Sequence, residues 1–384
     1  GVLIGMANAR GHFFVPALGA VVLNVVMISS VLFLAPRMGE GLEQQIIGLA
    51  IGVLVAGLAQ ALFQLPSLSR EGYRYHWVSP WREPIVREVV RKMLPGSIGV
   101  AAFQINVLLT QCFSFWLEPT VVATFNYAVR LMELPQGMFG ISLATYLLPT
   151  LSGLAAEKKY PEFRETLRQG LGNLAFANLI AAAVALALAE PIVRMLFERG
   201  KFDAVATHRV AIALICLSPG LLMFSMNNIL ARAFFALNDT TTPMKISVFC
   251  LMLNLVFSVV LVQSYREAGL GIANTTTAGF NTGLLLYALR KKLSRLDMAD
   301  LRRNILALVA DAVLAGLAAW GANWFWEQRL GHNSLALKAG AVLVPTAIAG
   351  LVYSTVALWL KVPAAQEIAG LVIGRFRRSA LRKR

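Results

Sequence analysis

Long runs of apolar residues, separated by short polar connections, recur along the whole chain. At 1.5 Å per residue, a helix of about 20 residues crosses the roughly 30 Å hydrocarbon layer of a membrane. Backbone polar groups find no water in that layer, so each run is predicted to be a helix rather than an open strand. Ten segments fit, namely residues 13–35, 44–64, 94–117, 120–151, 170–189, 207–236, 244–263, 268–289, 304–326 and 338–360. The pattern predicts an all-α polytopic membrane protein with about ten transmembrane helices.

The composition supports this class of protein. Charged residues make up only 14% of the chain and hydrophobic residues 57%, whereas about a quarter of the residues in a soluble domain are charged. The net charge of +15 is compatible with nucleic-acid binding, but the basic residues cluster in alternate connections, as the positive-inside rule predicts. The clusters lie in residues 70–92, 158–168, 290–303 and 375–384. We therefore expect anionic membrane lipids rather than nucleic acid as their partners, and a cytoplasmic C-terminus.

Two connections have amphipathic character. In residues 70–92, Trp and Tyr alternate with Arg, which is typical of the headgroup layer and favours an interfacial helix. In Glu190–Asp203, apolar residues at helical spacing lie between charges. This segment is either a helix along the outer surface or a solvated loop.

No signature of covalent or metal chemistry is present. Cys112, Cys216 and Cys250 lack CxxC spacing, and no pair among the four histidines has metal-ligand spacing. The chain also lacks a phosphate-binding loop and a complete dinucleotide fingerprint. We predict no cofactor, no metal centre and no enzymatic activity.

Two charges interrupt the apolar run 120–151. Arg130 and Glu133 are three residues apart, which places them on one helical face, and Asn126 lies one turn earlier on that face. A charge at membrane depth is costly and normally faces a bundle interior or a wet cavity. The pair is therefore a candidate substrate-binding site, although an ion pair that only fixes helix packing is the alternative.

Pro135, Gly137 and Gly140 follow the charged pair directly. Proline removes a backbone hydrogen bond and kinks a helix, and glycines permit close approach of a neighbour. These residues are a candidate conformational hinge, or a site of tight static packing. Arg232 is a candidate second substrate-binding cation, although we favour its extension towards the membrane interface.

Several motifs together resemble one known family. The stretch Arg130–Thr145, continuing through Leu147–Ser152, is similar to the signature helix of the MurJ (MviN) lipid II flippases. Further similar stretches are Asn8–Asn24, Gly200–Asp203 and Ala231–Pro243. The resemblance covers essentially the entire chain.

The resemblance implies the two-lobed fold of the multidrug/oligosaccharidyl-lipid/polysaccharide exporter superfamily, with fourteen helices of which the last two are extra. Residues 1–92 would be the remainder of the N-terminal lobe, residues 93–292 the C-terminal lobe, and residues 293–384 the two extra helices and a basic tail. The chain opens with Gly rather than Met, and residues 1–12 read as the end of the fourth helix. We therefore expect an N-terminally truncated chain.

The resemblance also implies a function. Family members move lipid II, an undecaprenyl-pyrophosphate-linked disaccharide-pentapeptide, across the bacterial cytoplasmic (inner) membrane by alternating access, and other cell-wall synthesis proteins are expected partners. Arg130 matches the family's cavity arginine and Glu133 the acidic residue beside it. The alternatives are a multidrug or other lipid-linked oligosaccharide exporter of the same superfamily, and a non-transporting membrane scaffold of envelope synthesis.

Some family members bind sodium through acidic and amide side chains. The corresponding positions in this chain hold Gln111, Asn254 and Ser258. None of these is a carboxylate, so the site lacks the anionic oxygens that a hard cation prefers. We expect this degenerate site not to bind sodium.

Overall fold

The computed structural model describes residues 14–70, 84–293 and 299–367, together with Leu3, Gly72 and Gly370. Within these ranges the chain is almost entirely helical and contains no strand. Most of the predicted interfacial connection, residues 71 and 73–83, lies outside the described residues, as does the basic tail 375–384.

The helices follow the predicted apolar segments. In chain order they are α1 Phe14–Ser29, α2 Leu42–Arg70, α3 Pro84–Leu117, α4 Pro119–Pro135, α5 Ser142–Ala156, α6 Tyr160–Ala187, α7 Ala189–Phe197, α8 Ala204–Leu217, α9 Gly220–Ala236, α10 Thr241–Leu293, α11 Ala299–Arg329 and α12 Leu335–Trp359. A π-helical turn, Gln136–Ile141, joins α4 to α5. Another π-helical turn, Ser30–Leu34, and a 3₁₀ turn, Ala35–Met38, extend α1.

The number of spans depends on how bent helices are counted. Among the described residues, seven helices are long and apolar enough to cross a membrane, or eight if α8 and α9, which meet at 48°, form one span. The predicted count of ten differs for two reasons. The predicted segment 94–117 lies in α3, which is not among the seven, and α10 is counted once although it contains two predicted segments, 244–263 and 268–289.

Helix α10 is a hairpin of two spans. Its 53 residues would extend about 80 Å as one straight helix, far more than a membrane thickness. Arg266 has the non-helical angles φ 48° and ψ −126°, and the chain reverses there. The reversal brings the two ends together, because Lys292 Nζ lies 2.6 Å from Asp239 Oδ2, just before the start of α10.

The described chain divides into two compact units, residues 1–91 and 92–384. In the first unit, α1 and its extension pack on α2 through small residues. A Cβ added at Gly52 would meet Ser30 Cβ at 2.4 Å, and one added at Gly48 would meet Ala35 Cα at 3.0 Å. This close packing leaves large apolar side chains such as Leu54 and Phe33 exposed, as expected of a lipid-facing surface.

The core of the second unit lies among α5, α6, α9 and the second half of α10. Its largest buried side chains include Phe163, Leu171 and Leu174 of α6 and Phe234 of α9. Helices α11 and α12 pack on each other, and α11 packs along α6. Every α6 side chain from Leu171 to Ala187 is uncharged, so this part of α6 brings no charge to the interface.

The predicted surface helix in Glu190–Asp203 is confirmed for its first part. Residues Ala189–Phe197 form α7, with Ala189, Pro191 and Val193 buried. Residues 198–203 are a loop, which ends where the Asp203 side chain accepts a hydrogen bond from the Ala206 N–H and caps α8.

Candidate functional site

Helix α4 has two distinct faces. Val121, Thr124, Ala128 and Met132 recur at spacings of three and four residues and are buried, and this face packs on α8. The opposite face carries Asn126, Arg130 and Glu133, all exposed. Burial of one face therefore fixes the direction in which the polar residues point.

The structure brings the predicted charged pair together. Arg130 Nη1 donates to Glu133 Oε2 over 2.7 Å, and the two side chains are 75% and 51% exposed. Arg130 lies eleven residues beyond Pro119, or about 17 Å along the helix axis, which places it near the middle of a membrane span. A guanidinium facing hydrocarbon at that depth is costly, so this face requires water or another polar surface.

A cavity of about 420 Å³ lies between α3, α4, α9 and both halves of α10. Its lining combines Thr and Ser hydroxyls with seven side-chain amides, those of Asn106, Gln111, Asn126, Asn227, Asn254, Asn274 and Asn281. Sequence reasoning identified Gln111, Asn126 and Asn254 separately, but not their convergence on one cavity. An amide inside an apolar run was the available signal, since each such residue needs a polar partner.

Several polar atoms of this cavity lack partners. Asn106 Nδ2 donates to Asn254 Oδ1 over 3.3 Å. The side-chain oxygens of Asn106, Thr110, Thr277 and Asn281 are buried and have no hydrogen-bond partner in the described part of the chain. A cavity of this size with several polar groups in its wall accommodates water molecules, which would satisfy these oxygens.

Two residues of the predicted degenerate cation site, Gln111 and Asn254, line this cavity. No carboxylate is among the residues that line the cavity, and Ser258 of the predicted degenerate site is buried one turn beyond Asn254 without lining it. Neutral oxygens alone lack the anionic charge that favours a hard cation.

The candidate hinge contains a distorted helical turn. Pro135 ends α4 and the next six residues are π-helical. A Cβ added at Gly140 would lie 2.8 Å from Ser225 Oγ of α9, whereas one added at Gly137 would meet nothing within 4 Å. The Ser142 hydroxyl donates to the Gly137 carbonyl over 3.0 Å, so it satisfies a backbone acceptor in the distorted turn. Gly140 therefore serves close packing, and Gly137 does not.

Arg232 is held away from the charged pair. Its Nη1 donates to Thr145 Oγ1 of α5 over 2.9 Å. Thr145 lies fifteen residues beyond Arg130, roughly 20 Å along the helix axis. The structure thus does not join Arg232 to the Arg130 site.

A second charge cluster was not predicted from the sequence. Arg209 of α8 donates to both Glu267 carboxylate oxygens, over 2.8 and 2.9 Å, and to Glu118 Oε1 over 2.7 Å. Hydrogen bonds from Thr120 and Arg209 lower the pKa of Glu118 below its usual value. The cluster joins the α3–α4 connection, α8 and the α10 turn. We call this side of the bundle the Glu118 end.

A third charge cluster, also at the Glu118 end, holds α11 and α12 to the rest of the unit. Arg194 of α7 donates to Glu327 of α11 over 2.7 Å and to Glu190 over 2.7 Å. Lys338 of α12 donates to Glu198 over 3.1 Å. Most of these contacts join residues far apart in sequence, so helical spacing gives no signal for them. Arg194 and Glu190 are the exception, because they are four residues apart on α7.

Comparisons with known proteins point to one family. A family model described as "Lipid II flippase MurJ" matches residues 1–339. "Lipid II flippase MurJ" of Burkholderia cenocepacia is 35% identical over 355 residues, which is 90% of this chain and 67% of the relative. "Probable lipid II flippase MurJ" of Vibrio cholerae is 32% identical over 315 residues, or 82% of this chain and 58% of the relative.

The fold has a counterpart among solved structures. A structure described as "Lipid II flippase MurJ, inward closed conformation" matches with a TM-score of 0.72 and 19% identity, covering 94% of this chain and 70% of that one. The present chain spans only 58% and 63% of the lengths of the Vibrio cholerae and Haemophilus influenzae relatives.

Proposed function

The chain belongs to the lipid II flippase MurJ family, and from that premise we propose that, in the full-length protein, it moves lipid II from the inner to the outer leaflet of the bacterial cytoplasmic membrane. The family resemblance of the sequence motifs is confirmed by the match over residues 1–339. Movement by alternating access makes and breaks no covalent bond. We accordingly propose a transporter without catalytic activity and without a cofactor.

The Arg130–Glu133 pair is the observation that supports this function most directly. Lipid II carries a pyrophosphate, and a guanidinium binds phosphate oxygens through two parallel hydrogen bonds and stays charged when partly desolvated. Glu133 accepts a hydrogen bond from Arg130 over 2.7 Å. Because the pair is exposed, a pyrophosphate can replace Glu133 as the partner of Arg130 without opening the packed core.

The polyprenyl tail requires an apolar path outside the polar site. The last two helices expose large aliphatic side chains along their length, among them Leu306, Val313 and Leu317 of α11 and Leu343 and Leu351 of α12. We infer that the tail follows this surface while the polar headgroup crosses near Arg130.

The orientation follows from the basic connections. The cluster in residues 158–168 and the first residues of the cluster in 290–303 lie at the end of the bundle that holds Asp239, here called the Asp239 end. By the positive-inside rule this end faces the cytoplasm, and the Glu118 end faces outward. The C-terminus then lies in the cytoplasm.

Transport by purified full-length protein in liposomes containing lipid II tests the proposal. We expect Arg130→Ala to lower the flipping rate by about 10- to 100-fold, because it removes a charge-assisted contact worth about 1.5–3 kcal/mol. Arg130→Lys should retain part of the rate, since it keeps the charge but loses the bidentate geometry. Arg290→Ala, which removes an exposed arginine at the Asp239 end, is the matched control and should transport normally.

Two results would contradict the proposal. Transport of a different lipid-linked sugar, but not of lipid II, would favour another exporter of the superfamily. Full complementation of a depleted strain by Arg130→Ala at normal expression would favour a scaffold that does not transport.

A further inference from the structure

Helices α6, α11 and α12 meet in a close-packed interface. A Cβ added at Gly316 of α11 would lie 3.6 Å from Ala183 Cβ of α6. Ala312, Ala315 and Ala319 of α11 are at most 5% exposed. An interface built from side chains this small brings the helix backbones together and leaves little space for water.

Asp311 is buried in this interface. Its residue is 1% exposed, and it lies near the middle of the 31-residue helix α11. Neither of its carboxylate oxygens has a hydrogen-bond partner among the residues that the structure describes. Ionisation of the carboxylate in these surroundings would cost desolvation free energy that no contact offsets.

The three helices offer Asp311 no cation at its depth. Arg168 of α6 approaches Asp300 of α11 at 3.8 Å, and Arg194, just beyond α6, binds Glu327 near the end of α11. Helices α6 and α11 therefore run in parallel, and Asp311 lies about as deep as the α6 residues near Phe176. The Tyr353 hydroxyl of α12 donates to the Phe176 carbonyl over 2.9 Å, which makes this tyrosine the titratable group at the same level.

The other charged residues of the three helices lie at the helix ends. In the described sequence they are Glu162, Arg164, Glu165 and Arg168 of α6, Asp300, Arg302, Arg303, Glu327 and Arg329 of α11, and Lys338 of α12. On α11, the charged residue nearest to Asp311 is Arg303, eight residues or about 12 Å away along the helix axis. The interface therefore provides no charge that would stabilise the Asp311 carboxylate.

We propose that Asp311 is a proton-binding site: its side chain is a neutral carboxylic acid while α11 and α12 are packed on α6, and it ionises only when these helices separate. On ionisation, the carboxylic acid O–H bond breaks, the electron pair stays on Asp311, and the proton passes to water entering the interface. Proton binding thereby stabilises the packed arrangement of the helix pair on the lobe.

Infrared spectroscopy of the full chain in lipid nanodiscs tests the proposal. The chain contains five aspartates, Asp203, Asp239, Asp297, Asp300 and Asp311, so ¹³C-labelling of aspartate isolates their carbonyl bands. At about pH 5, where exposed aspartates have lost their protons, we expect a band from a protonated aspartic acid in the wild type. The Asp311→Asn variant should lack it, and Asp300→Asn, which changes an exposed aspartate of the same helix, should retain it.

If Asp311→Asn does not fold, the pH titration of the labelled wild-type aspartate bands is the measurement that tests the proposal. Absence of a protonated aspartate band at about pH 5, or its survival in Asp311→Asn, would overturn the proposal.

Discussion

Arg266 adopts a backbone conformation that side chains other than glycine rarely tolerate. Its φ of 48° and ψ of −126° reverse the chain between the two halves of α10. Conformations of this kind cost about 1–3 kcal/mol for a residue with a Cβ. The only ion pair that Arg266 forms in the described part of the chain is with Glu118, over 3.4 Å, and its side chain is 64% exposed. The ion pair with Glu118 therefore stabilises the turn by less than the backbone strain destabilises it.

Replacement of Arg266 by glycine should stabilise the protein. We expect Arg266→Gly to raise the free energy of unfolding by about 1 kcal/mol, because relief of strain outweighs the loss of an exposed ion pair. Arg266→Ala removes the same ion pair but keeps the Cβ, so it should be neutral or slightly destabilising. Chemical denaturation in detergent compares the two variants. A more stable alanine variant than glycine variant would show that the turn is unstrained.

The sequence predicts some charged contacts and not others for a simple reason. Arg130 and Glu133 belong to one helix, so spacing alone predicts their contact. Arg209 and Glu267 are 58 residues apart, and their contact depends on how α8 and α10 pack. The amide cavity was missed for the same reason, since its lining residues come from several helices.

At the scale of helices, apolar run length predicts position well. Within the described residues, each of the ten predicted segments is largely helical, although segments 170–189 and 207–236 each run across a break between two helices. Details within the helices were not predicted, because π-helical turns and a sharp reversal at Arg266 change local geometry without changing composition. Gly140 illustrates the limit: the sequence predicts either a hinge or tight packing, and only the position of α9 shows the close approach to Ser225.

The two glycines beside the π-helical turn should respond differently to substitution. Gly140→Ala places a Cβ 2.8 Å from Ser225 Oγ and 3.1 Å from Ser225 Cβ, so we expect a loss of about 1–3 kcal/mol in stability from overpacking. Gly137→Ala enters open space and should be tolerated. Thermal unfolding of the paired variants measures the difference. Equal stability of the two would mean that α9 does not pack against the turn as closely as the structure shows.

Viewed as a whole, the second unit carries its ion-pair clusters at both ends of the bundle. Arg209 and Arg194 organise the Glu118 end, and Lys292 closes the Asp239 end. The Arg130–Glu133 pair instead lies near the middle of its span. Charges at the ends reach the headgroup layer at little cost. A charged pair at mid-depth is costly, which is why we assign it a function.

The contact between Asp239 and Lys292 should make stability depend on acidic pH. A hydrogen bond from Lys292, with further ones from Thr242, lowers the pKa of Asp239 from its usual 3.8 to about 2. A lowered pKa stabilises the folded state above the unfolded-state value, and this contribution is lost as pH falls from about 4 towards 2. Because Lys292 is 37% exposed, we expect a contribution of about 1 kcal/mol or less.

Comparison of Asp239→Asn with the wild type measures this contribution. The variant should unfold at a lower temperature at neutral pH, and the difference should shrink as pH falls from about 4 to about 2. Glu157→Gln, which removes a fully exposed contact with Lys159, should have no measurable effect at any pH. A difference between Asp239→Asn and the wild type that does not change with pH would rule out the ion pair as its source.

The π-helical turn Gln136–Ile141 accommodates one residue more than an α-helical path would. If the extra residue moved along the helix, the segment that it passed through would rotate by about 100° and shift by about 1.5 Å along the helix axis. Such a shift would turn the helix that carries Arg130 as a screw. A screw motion would re-aim side chains on either side of the turn while leaving the helix axis nearly straight.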